Sequence, residues 1–168
     1  LQATEHGETS YTLINVAAGD NPTIATLIDA PEYAMDPSGL NAANPLVHLS
    51  CRKALAHAID GQRLADARGA GIAAVANGPF PPGSIGYLED TGYPVFDLQQ
   101  AAADFEICKV ESEQNPVTFG FDTTRDPFDV ETNQLMVEMW TAAFGSEISV
   151  AVSPFDQGAL IDAAIAGN

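Results

Sequence analysis

Apolar positions in the middle of the chain recur every three or four residues: Val47, Cys51, Ala54, Leu55 and Ala58. That spacing gathers them on one side of an α-helix and predicts a buried face. Asn44-Pro45 opens this helix, since the missing N–H of proline costs nothing in a first turn. Asp60 stands where a carboxylate caps a second, short helix, "GQRLADAR", which ends at Gly69 or Gly71. The stretch Ala76 to Tyr87, "ANGPFPPGSIGY", holds three prolines and three glycines and predicts a loop. From Asp97 a third helical pattern begins. Leu98, Ala101, Ala102, Phe105 and Cys108 share one side of it, with Asp104, Glu106 and Lys109 away from its centre.

Elsewhere the pattern changes to short runs of strand-forming residues. Tyr11 to Ala17, "YTLINVA", predicts a strand, and residues 18–44 a long, mostly irregular connection broken by three prolines. Two strand-to-helix units then follow with similar wording: "VTFGF" (Val117 to Phe121) leads to "DPFD", and "ISVAV" (Ile148 to Val152) leads to "SPFD". In each, Asp126 or Ser153 is placed to cap a helix whose first residue is Pro127 or Pro154. The first of these helices is expected to bury Phe128, Leu135, Met136, Met139, Trp140 and Ala143, and the second Leu160, Ile161, Ala164 and Ile165. Strands alternating with helices predict an α/β layer structure, a mixed and partly parallel sheet flanked by helices.

A length of 168 residues suits one domain, residues 1–168. Six basic residues against 23 acidic ones give a formal charge of -17. A surface so anionic repels phosphate backbones and argues against nucleic acid as a partner. Such acidity fits either a saline habitat or simple solubility. No run approaches the roughly 20 apolar residues of a membrane span, and the first residues do not read as a signal peptide. The polar start and the stop at "AIAGN", directly after a helical pattern, read as the ends of a piece of something longer.

Candidate chemistry is sparse. His48 and His57, nine residues apart on the first predicted helix, would lie about 13 to 14 Å apart along its axis, too far to share one ion. With His6 they read as solvated or locally bonded side chains, and no metal or cofactor is called for. No G-x-S-x-G, H-E-x-x-H, P-loop or G-x-G-x-x-G sequence is present. The acid pair Asp126 and Asp129 is the one hint of an α/β hydrolase or transferase, but capping and the helix dipole already account for acids in a first turn. Cys51 and Cys108 lie on apolar helix faces. By themselves they fit either a disulfide or two buried thiols.

The ordered series "CRKALAHAID", the Pro-Gly loop, "GYPVFDLQQAAADF", "PVTFGFDTT", "ETNQLMVEMWTAAFG" and "EISVAVSPFDQGALIDAAIAG" resembles the family 5 extracellular solute-binding proteins of bacterial ABC importers. Arg52, Ala54, Leu55, Ala58, Ile59 and Asp60 carry the first element, with Gly71, Pro79 to Gly83, and Asp97 to Phe105 in order after it. Asn15 stands near the end of a strand similar to one in the family. Phe96, where tyrosine is more common, and the long stretch to Asn44 depart from the pattern.

The resemblance implies one lobe of a two-lobed periplasmic-binding-protein fold: the second lobe, without the first lobe and the C-terminal segment of the parent chain. It implies a binding protein rather than an enzyme, placed outside the cytoplasm, in the periplasm or lipid-anchored at the cell surface. Its partners would be a small solute, most commonly a peptide in this family, and the membrane permease of an ABC importer. In that compartment Cys51 and Cys108 are expected to pair. The resemblance also places the loop after "VTFGF", residues Asp122, Thr123, Thr124, Arg125 and Asp126, at the border of the ligand cleft, with Arg125 suited to a carboxylate.

Overall fold

The computed structural model describes residues 44–69, 75–78, 80 and 82–166. The strand expected at Tyr11 to Ala17, most of the connection at 18–44, and His6, Asn15 and Gly71 lie outside the described residues. Along the chain run a 3-10 turn (Pro45–Val47), α1 (Leu49–His57), α2 (Gly61–Gly69), α3 (Leu98–Ser112), β1 (Val117–Thr124), α4 (Pro127–Phe144), a second 3-10 turn (Gly145–Glu147), β2 (Ile148–Phe155) and α5 (Gln157–Ala166). Helices thus flank a parallel pair of strands, an α/β arrangement.

The first helix starts later than its apolar spacing suggests. The Asn44 side chain does cap Pro45, accepting from the Leu46 amide at 3.0 Å, but it caps a single 3-10 turn. His48 then turns extended, and α1 begins at Leu49. The carbonyls of Leu46 and Val47 are taken by the Arg52 guanidinium at 2.8 and 2.9 Å, so the turn is held against α1 without continuing it.

Asp60 and Asp97 act as caps. Asp60 Oδ1 accepts from the amides of Gln62 and Arg63, and Asp97 Oδ1 from those of Gln99 and Gln100. On α3, Ala101, Phe105 and Cys108 are buried as their spacing predicts, whereas Leu98 and Ala102 are exposed and Asp104 is buried. The reason is α1, which packs on this side and turns the contact line toward Asp104. There the carboxylate accepts from the Gln100 side-chain Nε2 at 3.2 Å and lies 3.9 Å from the His57 ring. Cys51 of α1 and Cys108 of α3 are bonded, their Cα atoms 4.6 Å apart, and both are buried.

β1 and β2 run parallel, in register from Val117↔Ile148 to Thr124↔Phe155, with α4 as the crossover between them. Trp140 of α4 sits at the centre of the core. Its ring lies edge-on to Phe119 at 5.8 Å and tilted against Phe121 at 5.4 Å, and its indole N–H donates to the Leu55 carbonyl at 3.0 Å. Phe144 stacks on Phe105 at 4.0 Å, which joins α4 to α3. Lys109 adds a polar tie, bonding Glu106 on its own helix and Glu147 in the turn before β2 at 2.8 and 2.7 Å.

Met139 and Trp140 are buried as expected, and Leu135, Met136 and Ala143 are half-buried. Phe128 is instead 45% exposed. The first turns of α4 face α2, where Phe128 lines a small crevice of about 50 Å³ with Leu64, Ala67 and Leu135.

The second strand-to-helix unit departs most from expectation. Ser153 and Pro154 do not start a helix; they belong to β2, and α5 starts at Gln157. Parallel pairing explains why proline is tolerated there. The Phe155 carbonyl accepts from the Arg125 amide at 2.9 Å, so the polar groups of Phe155 face β1. Successive residues of a strand present their polar groups to opposite sides, which leaves the missing N–H of Pro154 on the side away from β1. Because α5 starts three residues later than expected, its faces shift: Leu160 is half-buried and Ile161 is exposed. The side chains of Ala164 and Ile165 lie outside the described residues.

Candidate ligand-binding site

Both strands end on the same side of the sheet, as parallel pairing requires, and the helices α4 and α5 begin there. Ligands of open α/β sheets characteristically bind outside the carboxyl ends of the strands. An open depression of about 390 Å³ lies at this place, lined by Thr124, Arg125, Asp126, Asp129, Asp156 and Gln157.

Thr124 ends β1, and its hydroxyl donates to Asp129 Oδ2 at 2.6 Å while accepting from the Asp126 amide at 3.2 Å. Asp126 is the cap of α4, its Oδ1 accepting from the Phe128 amide at 2.9 Å. These bonds fix the geometry of the first junction. Arg125 continues the strand register one step beyond Thr124↔Phe155 and so stands beside Asp156, with its Nε 3.2 Å from Asp156 Oδ1. Both side chains are mostly exposed, so the pair orients the guanidinium more than it stabilises the fold. The two terminal nitrogens of Arg125 make no hydrogen bond among the described residues. They form a planar fork suited to a carboxylate.

Of the five positions singled out in the sequence, Thr124, Arg125 and Asp126 line the depression. Asp122 and Thr123 are strand residues, because β1 runs three residues past Phe121. Thr123 is 3% exposed, and its hydroxyl has no hydrogen-bond partner among the described residues. Asp156 and Gln157 were missed as site residues because "SPFD" reads as a helix cap. The signal that finds them is the strand register, which sequence spacing does not carry. The depression sets three carboxylates around one guanidinium, an arrangement that can hold a polar solute carrying both charges. Among the described residues no group of three or more His, Cys, Asp or Glu side chains is placed to hold a metal ion.

A family model described as bacterial extracellular solute-binding proteins, family 5, middle region, matches residues 4–167. The chain belongs to this family. No curated protein matches it. Members of family 5 are binding proteins that serve ABC transporters, so a solute-binding role follows at the level of the family. An extracytoplasmic location follows in the same way, and no described helix is long and apolar enough to cross a membrane.

Proposed function

We propose that this chain is the second lobe of a longer receptor that captures an oligopeptide outside the cytoplasm and delivers it to the permease of an ABC importer. The observation that carries this reading is the depression at the strand ends, where the Arg125 guanidinium, oriented by Asp156, shares the lining with Asp126 and Asp129. A peptide matches that mixture: its carboxylate can take the guanidinium fork, and its amide and ammonium groups can donate to the carboxylates. The acid pair supports a hydrolase less well, since Asp126 is engaged as a cap and Asp129 by the Thr124 hydroxyl.

In a two-lobed receptor the ligand stabilises the closed state by touching both lobes. The single lobe therefore binds more weakly than the parent. Loss of about 4 kcal/mol of contacts to the other lobe weakens binding about a thousandfold. The test is mass spectrometry of the solutes that co-purify with the full-length protein, followed by calorimetry of the recovered solute on parent and lobe. Peptides bound far more tightly by the parent support the reading. Equal affinities would put the whole site within residues 1 to 168 and contradict it.

A further inference from the structure

Two separate demands of the fold meet at Asn77 and Gly78, in the loop between α2 and α3. The Asn77 side-chain amide donates to the carbonyls of Leu88 at 3.2 Å and Glu89 at 2.7 Å and so closes the loop on itself. The Thr91 hydroxyl donates back to the Asn77 carbonyl and accepts from the Tyr93 amide at 3.4 Å. Because both of its acceptors are carbonyls, position 77 needs a side chain with two N–H donors. Position 78 favours a small residue: a β-carbon there would stand 3.1 Å from Thr91 Cγ2, a tight contact that the threonine side chain would have to yield to. Together these requirements create an Asn-Gly pair, in which no side chain shields the asparagine amide from the following backbone nitrogen. The Gly78 N–H makes no hydrogen bond among the described residues.

We propose that Asn77 is a site of spontaneous deamidation and that this modification releases the loop. The Gly78 nitrogen attacks Asn77 Cγ. A bond forms between them, the Cγ–Nδ2 bond breaks, and the side-chain nitrogen leaves as ammonia carrying the proton lost from Gly78. Water then opens the resulting cyclic imide at one of its two carbonyls, leaving aspartate or its β-linked isomer. The donor that closed the loop has become an acceptor-only carboxylate facing two carbonyls, next to Glu89 and Asp90. Leu88 and Tyr93, already exposed, lie on the segment this frees, while Val95 beyond it stays tied to α1 through its carbonyl, 2.7 Å from His57 Nδ1. Reaction requires the amide to leave Leu88 and Glu89 first, so its rate in the folded chain reports how often the loop opens.

Incubation of the whole chain in mildly alkaline buffer, followed by peptide mass spectrometry, tests the chemistry. The peptide containing Asn77 is expected to gain one mass unit faster than those containing Asn44, Asn115 or Asn133, and Asn77→Gln is expected to remove the gain. Hydrogen exchange on Asn77→Asp tests the consequence. Amides 88 to 93 are expected to exchange about tenfold faster, the effect of losing about one net hydrogen bond, with α3 and α4 unchanged. Modification of Asn77 no faster than of Asn133 would overturn the site. Wild-type exchange of the loop in Asn77→Asp, or faster exchange spreading through α3 and α4, would overturn its role as a loop clasp.

Discussion

The two strand-to-helix junctions share nearly the same tetrapeptide, "DPFD" and "SPFD", and use it in different ways. At the first, Asp126 turns its carboxylate inward onto the start of α4, and Pro127 takes the first helical position. At the second, the same pattern lies four residues earlier relative to the strand pairing, so Ser153 and Pro154 extend β2. The acid that reaches the second junction, Asp156, turns outward to Arg125. A local motif therefore fixed one junction, while pairing with a neighbouring strand decided the other. The candidate site draws on both, a rigid wall from the first junction and an adjustable acid from the second.

If the first junction is rigid because α4 is anchored in the core, removing the anchor has the largest effect. Trp140→Ala is expected to cost about 3 to 5 kcal/mol in chemical denaturation, through lost packing on Phe119 and Phe121 and the orphaned Leu55 carbonyl. A cost below about 1 kcal/mol would place the anchor elsewhere.

The start of β2 is set by Gly145, which ends α4 with φ 61° and ψ -134°, a conformation that residues with a β-carbon avoid. Gly145→Ala is expected to destabilise by about 2 kcal/mol, although a β-carbon there would meet nothing within 4 Å. Unchanged stability would show that the backbone relaxes freely at this turn.

The comparison is sharpest in a matched pair of substitutions. Asp126→Ala removes a working cap and is expected to cost about 1 kcal/mol. Ser153→Ala, the same position in the motif, is expected to stay within about 0.5 kcal/mol of the wild type because it caps nothing. Equal losses in thermal melts would mean that both junctions are capped alike.

The smallest expected effect is electrostatic. The side-chain bonds of Lys109 to Glu106, and then to Glu147, raise its pKa above the ordinary 10.5. A raised lysine contributes stability that is fully present below 10.5 and is lost as pH climbs through the raised value. The melting difference between wild type and Lys109→Met is therefore expected to be constant around neutral pH and to disappear in strongly alkaline buffer. A difference that grows with pH would contradict the assignment.

Local features of the fold were legible in the sequence wherever the physics is local. Asp60, Asp97 and Asp126 cap the helices their positions predict, since a cap is settled within three residues. Exposure of Phe128 and Ile161 was not legible, because it depends on where α2 lies and on how far β2 extends. The same division runs through the site. Thr124, Arg125 and Asp126 were singled out through the resemblance to the family and line the depression, whereas Asp156 and Gln157 enter only through the register of a strand 31 positions away.

The most direct test of the account is calorimetric titration of the full-length receptor, wild type and Arg125→Ala, with the peptide that co-purifies with it. Loss of a charge-assisted bidentate contact is expected to weaken binding at least about tenfold, with the melting temperature of the unliganded protein unchanged because the Arg125–Asp156 pair is exposed. Equal affinity in the two proteins would remove the strand-end depression from the binding site.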